Sequence, residues 1–158
     1  MENFNYDNLV FTEALKALDT TFDTAKWAKS FNITLYENQI EIVDTICKPG
    51  PSNVVVLASR SGGKTYAVTM AAVRLCLTIP KYSVIVFGPK QEQATRIITE
   101  LIKIAKSSNL TYDVDWKRSS RQRLYFKNSS SIIALSASDT TEIEGCIVTG
   151  KQIGRAHV

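Results

Sequence analysis

One loop and its two flanks constrain the fold of this chain more than any other part of it. Val54, Val55, Val56 and Leu57 form a β-branched run without polar alternation, the pattern of a strand covered on both faces. Ala58, Ser59, Arg60, Ser61, Gly62, Gly63, Lys64 and Thr65 follow. Residues 66–79 are then apolar almost all round except at Arg74, until Pro80 stops them, which predicts a buried helix. Strand, glycine-containing loop and buried helix, in that order, build an anion cradle. Successive N–H groups at the helix start face the ligand, and the helix dipole favours negative charge there.

Gly63, Lys64 and Thr65 supply the second half of the phosphate-loop pattern G-x-x-x-x-G-K-[ST], while Ala58 stands where its first glycine belongs. The backbone N–H groups of Ser61, Gly62, Gly63, Lys64 and Thr65 are expected to wrap a β-phosphate. Lys64 is expected to reach the β- and γ-phosphate oxygens, and the Thr65 hydroxyl to ligate Mg²⁺. The competing reading is a plain turn before a helix, against which the flanking buried strand and helix weigh. ATP and Mg²⁺ are the expected cofactors, with Ser59 completing the contacting loop.

The rest of the chain alternates in the same sense. Val84, Ile85, Val86 and Phe87 make a second buried-strand run closed by Gly88 and Pro89, and Ala94, Ile97, Ile98, Leu101 and Ala105 then stripe one helix face. Upstream, Phe11, Ala14, Leu15 and Leu18 predict an amphipathic helix capped by Asn8, residues 24–31 a short helix, and residues 36–47 another through Ile40, Val43 and Cys47. Lys48, Pro49, Gly50, Pro51 and Ser52 end it. Downstream, residues 123–127 and 131–135 read as two strands joined at Asn128, Ser129 and Ser130, a hairpin or the entry to another strand of the sheet. The expected fold class is α/β: a P-loop NTPase of the RecA/ASCE-like kind, a three-layer parallel sheet, incomplete, with N-terminal helices.

At 158 residues and 44% hydrophobic composition the chain holds one core, not two. Cys47, Cys76 and Cys146 lie far apart without a C-x-x-C pair, which fits a reduced, intracellular setting. No apolar run is long enough to span a bilayer and residues 1–8 do not resemble a signal peptide, so no membrane partner is expected. The formal charge of +4 is compatible with a polyanionic partner and is also ordinary. Between Lys103 and Lys127, however, Lys106, Lys117, Arg118, Arg121 and Arg123 join those two against Asp113 and Asp115, with Tyr112, Trp116 and Tyr125 interleaved. That is the composition of a DNA-tracking surface, and equally of a solvated helix end and loop.

The form A-S-R-S-G-G-K-T, with an arginine three residues before the second glycine, resembles the variant phosphate loop of phage terminase large subunits. The resemblance implies a γ-phosphate contact and a charge-stabilising role for Arg60, so Lys64 and Arg60 become the catalytic candidates; an idle loop arginine is the alternative. Tyr36, Glu37, Asn38 and Gln39 stand where terminases and related helicases keep an adenine-reading aromatic and glutamine, which implies that Tyr36 stacks on the base and Gln39 pairs with its edge. Residues 87–94 resemble the family's second strand and the helix after it, with Lys90 in place of a small hydroxyl residue. Residues 125–133 followed by Ile143, Glu144 and Gly145 resemble a strand, N-G-S, strand and I-R-G turn, with Ser129 in place of the glycine and Glu144 in place of the arginine.

What the family would supply next is a strand ending in an acid pair, one carboxylate for Mg²⁺ and one for the attacking water. No apolar run in this sequence ends in Asp-Glu. Residues 153–158, Ile-Gly-Arg-Ala-His-Val, are what a common short-read sequencing adapter encodes in one frame (ATC GGA AGA GCA CAC GTC, then the stop TGA). The natural chain is therefore expected to continue past Gln152, and His157 receives no catalytic role. The expected organisation is a helical extension over 1–35, a partial P-loop ATPase domain over 36–152 and an adapter-encoded tail over 153–158.

The function so implied is the ATP-binding part of a DNA-packaging motor, which in full length hydrolyses ATP to drive viral double-stranded DNA into a procapsid. By resemblance its partners are that DNA, a portal protein and a small terminase subunit, in a homo-oligomeric ring in the cytoplasm of an infected host cell. A helicase-like DNA-translocating ATPase and a non-catalytic nucleotide-binding fragment are the alternatives.

Overall fold

The computed structural model describes residues 22–49, 54–57 and 63–136, and the backbone of residues 152–154. The expected helix capped by Asn8, loop residues Ala58 to Gly62, and Ile143 to Gly145 lie outside the described residues. Among the described residues four helices come in chain order: α1 (Thr24–Ser30), α2 (Glu37–Cys47), α3 (Lys64–Thr78) and α4 (Gln91–Lys106). Strand β1 (Ser83–Gly88) precedes α4, and β2 (Arg123–Tyr125), β3 (Ser131–Ser136) and β4 (Gln152–Gly154) follow it, after a 3-10 turn at Asn109–Tyr112. The chain is an α/β protein.

Helix α3 buries residues on every side, among them Ala67, Met70, Ala71, Ala72, Val73, Leu75 and Cys76, as its unbroken apolar sequence requires. Ala67, Met70 and Ala71 join Val43 and Ile46 of α2, Ala28 of α1, and Ile33 and Leu35 of the link between those two helices in one apolar cluster. Residues 24–35 are therefore packed against the helices that flank the loop. A second cluster joins the far half of α3 (Ala72, Val73, Cys76) to Val84 and Val86 of β1, Ile98 and Leu101 of α4, and Ile132 and Ala134 of β3. Burial pushes the Cys76 thiol far up, so this cysteine is an apolar core residue.

Arg74 is the exception in the helix, and it is nine-tenths buried. Its guanidinium donates to Asp44 Oδ1 at 2.7 Å and to Thr24 Oγ1 at 3.0 Å and lies 4.0 Å over the Phe22 ring. Thr24 also donates to Asp44. One cation thus cross-links α1, α2 and α3, and Asp44 keeps a face in solvent.

The sheet runs β2-β3-β1-β4. Strand β1 lies parallel to β3, Ser83 beside Ser131 and Gly88 beside Ser136, and parallel to β4, Ile85 beside Gln152. Strand β2 is antiparallel to β3, Leu124 beside Ile132. The expected parallel sheet thus carries an antiparallel edge, where the two strands form the hairpin that was one of the two readings of their link, which is too short for a crossover. Ser129 in that link has φ 67°, the left-handed region where glycine costs least, and it is the position where the resemblance expects glycine.

Residues 54–57 correct a second expectation. They form no strand, and Val55 and Leu57 are 82% and 89% exposed. A β-branched run favours an extended backbone, but a strand also needs a partner. No strand of the described sheet pairs with the run. Strand β4 itself was not foreseen; its three residues pair through main-chain groups, which asks only for an extended backbone and is indifferent to what encodes them.

Candidate phosphate-binding site

Helix α3 starts where the cradle was expected. Gly63 is its N-cap at φ 67°, and Lys64 and Thr65 are its first two residues. The left-handed Gly63 turns the chain from the loop into the helix, and its carbonyl accepts the N–H of Ala67 at 3.0 Å. The first turn holds no acidic residue, so nothing in it offsets the positive end of the helix dipole. Thr65 is exposed and its carbonyl accepts from Thr69 Oγ1 at 2.7 Å. Burial first, and the Glu100 carboxylate second, push the Tyr66 hydroxyl above its ordinary range, so this neighbour of Thr65 adds no negative charge at neutral pH. The start of α3 is chemically suited to an anion, and Lys64 and Thr65 bring an ammonium and a hydroxyl to it.

Gln39 meets this helix start. It is buried in the first turn of α2, its Oε1 accepts the N–H of Tyr36 at 3.0 Å, and its Nε2 lies against Gly63. A Cβ at Gly63 would stand 2.4 Å from that nitrogen. Tyr36 is the N-cap of α2 and is 73% exposed. Tyr36, Gln39, Gly63, Lys64 and Thr65 therefore sit at two adjoining helix starts, with Tyr36 offering an open ring and Gln39 spending its amide carbonyl on a cap. Ser59, Arg60, Ser61 and Gly62 lie outside the described residues.

The segment 87–94 forms the end of β1 and the start of α4. Gly88 there permits a close approach that the sequence had not signalled: an added Cβ would lie 2.7 Å from the Ala94 backbone nitrogen. Gln91 Nε2 reaches Ala134 O of β3 at 3.4 Å, tying the helix start to the neighbouring strand. Sequence reasoning also missed what holds the far end of α3. Asn128 Nδ2 donates to Cys76 O at 2.6 Å and Ser130 Oγ to Ile79 O at 2.8 Å, so the β2–β3 link caps the last carbonyls of the helix. The N-S-S string was a signal for a turn and gave no hint of what that turn would touch.

No group of metal-ligating side chains occurs among the described residues, and no helix among them is long and apolar enough to cross a membrane. No curated protein matches this chain. Residues 55–156 match the family model described as terminase large subunit, T4likevirus-type, N-terminal. That stretch contains the candidate site from Gly63 onward, the whole of β1, α4, β2 and β3, and well over half of the chain. The chain therefore belongs to the family of T4-like terminase large subunits, as part of their N-terminal region.

Proposed function

We propose that this chain is the ATP-binding part of a DNA-packaging motor ATPase, with a phosphate loop at the start of α3 and the RecA-like three-layer architecture that such loops serve. The observation that carries the reading is the left-handed Gly63 capping a buried helix whose first residues are Lys64 and Thr65. A glycine held in that conformation against Gln39, where a Cβ has no room, leads into acid-free helical N–H groups suited to an anion. Family membership supports the packaging role.

In this reading Lys64 neutralises β- and γ-phosphate oxygens, Arg60 adds a second positive charge at the γ-phosphate, and Ser59, Ser61 and Gly62 line the loop. The Thr65 hydroxyl would hold Mg²⁺ together with the phosphates, and the chemistry the ion would supply is charge neutralisation. Tyr36 stacks on the base beside Gln39. Hydrolysis needs in addition a carboxylate pair to hold the ion and polarise water, and belongs to the full-length motor, which acts on double-stranded viral DNA with a portal protein and a small terminase subunit, as a homo-oligomeric ring in the host cytoplasm.

Lys64→Ala tests the reading. Binding of a fluorescent ATP analogue in the presence of Mg²⁺ is expected to weaken at least about tenfold, the loss of roughly one charge-assisted contact worth 1.5–3 kcal/mol. Equal affinity of wild type and variant would sink it.

A further inference from the structure

The basic and aromatic residues between α4 and β2 form one surface. The segment 113–115 is stitched to the end of β2 by Asp115 N–H to Tyr125 O at 2.8 Å, Lys127 N–H to Asp113 O at 2.9 Å and the bridge between Val114 and Phe126. Trp116 donates its indole N–H to Thr111 O at 3.1 Å, which fixes the ring beside the end of α4. Upon this framework Lys106 Nζ lies 5.8 Å over the Trp116 ring and Arg118 Cζ 4.4 Å over the Tyr125 ring. Lys106, Lys117, Arg118 and Arg121 are all exposed.

Two features decide what such a surface fits. First, two of the cations are held on ring faces, so they stand in solvent at fixed positions without a carboxylate partner in the contact. Asp115 is turned to its own chain, its Oδ1 accepting the Arg118 N–H at 3.4 Å, and Asp113 is half-buried. Second, a cation lies over one face of each of the Trp116 and Tyr125 rings, which closes that face to a base. A surface that presents several exposed positive charges suits the phosphates that every duplex carries, whatever its sequence.

Resting on the packaging reading above, we infer that Lys106, Lys117, Arg118 and Arg121, set on Trp116 and Tyr125, are a contact surface for the phosphate backbone of duplex DNA, used without regard to base sequence. It is separate from the phosphate-binding site, and its charges act by displacing counterions from the duplex.

The test uses the full chain, a labelled duplex of arbitrary sequence and no nucleotide. Affinity is measured by fluorescence anisotropy over a range of salt concentrations. The slope of log K against log salt is expected to shrink by about 0.9 for each phosphate that is no longer neutralised, so that Lys106→Gln with Arg118→Gln reduces it by about 1.8 and weakens binding alike for two unrelated sequences. Lys29→Gln on α1, also exposed, is the control and should leave the slope unchanged. An unaltered slope in the double variant, or no duplex binding by wild type, overturns the inference. So does tighter binding of a single strand of equal length that depends on the exposed Tyr112, because the surface would then read bases. Lys64→Ala should bind the duplex as wild type does, so a failure of the ATP reading and a failure of this surface are told apart.

Discussion

Gly63→Ala is expected to destabilise the chain by about 2–5 kcal/mol, read as a lowered midpoint of urea unfolding. A residue with a Cβ pays roughly 1–2 kcal/mol in the left-handed region that Gly63 occupies at φ 67°. The same Cβ would lie 2.4 Å from Gln39 Nε2, and Gln39 cannot swing away without giving up the Tyr36 N–H it accepts. Overpacking of that kind adds about 1–3 kcal/mol. The two causes separate in the double variant: Gln39→Ala on the Gly63→Ala background should recover the overpacking share and leave the backbone share. Additive losses in the cycle would show that Gln39 does not pack against Gly63.

Ser130→Ala comes next in size. Ser130 is fully buried, donates to Ile79 O at 2.8 Å and accepts the Tyr82 N–H at 3.0 Å. Alanine would take the donor from the buried Ile79 carbonyl, at about 1–3 kcal/mol, and remove a second hydrogen bond at the half-buried Tyr82, worth about 0.5–1.5 kcal/mol, so a loss of about 1.5–4.5 kcal/mol is expected in the same unfolding measurement. The hydroxyl joins the segment after α3 to the β2–β3 link, so the variant should also reduce hydrogen-exchange protection of Ile79 and Tyr82 more than that of α2. A loss below about 0.5 kcal/mol would mean that Ser130 is not the cap of this helix.

The helices were legible wherever an apolar stripe and a breaker coincided. Residues 66–79 read as a buried helix because their side chains are apolar on every face except at Arg74, and the observed helix differs in taking in Lys64 and Thr65 and in ending at Thr78, with Ile79 as its cap. The strands β1 and β3 read from their β-branched runs for the same reason. Residues 54–57 carry an equally strong run and form no strand, because pairing is a property of two segments and a sequence window holds one. Contacts made by polar groups were illegible for a related reason. Nothing near Gln39 announces Gly63, and nothing near Asn128 announces Cys76, since each hydrogen bond or close approach joins residues far apart in the chain. At the site, the placing of Gly63, Lys64 and Thr65 at a helix start was readable because it is set by neighbouring residues of one segment. The packing of Gln39 that sets Gly63 in place was not.

The claim that ATP is bound at the start of α3 is tested most directly by amide chemical shifts. When Mg·ATP is added to the isotopically labelled chain, the N–H resonances of Gly63, Lys64, Thr65 and Tyr66 should move most, and in Lys64→Ala they should stay still at the same concentration. Shifts confined to other elements, or none in wild type at millimolar nucleotide, would contradict it.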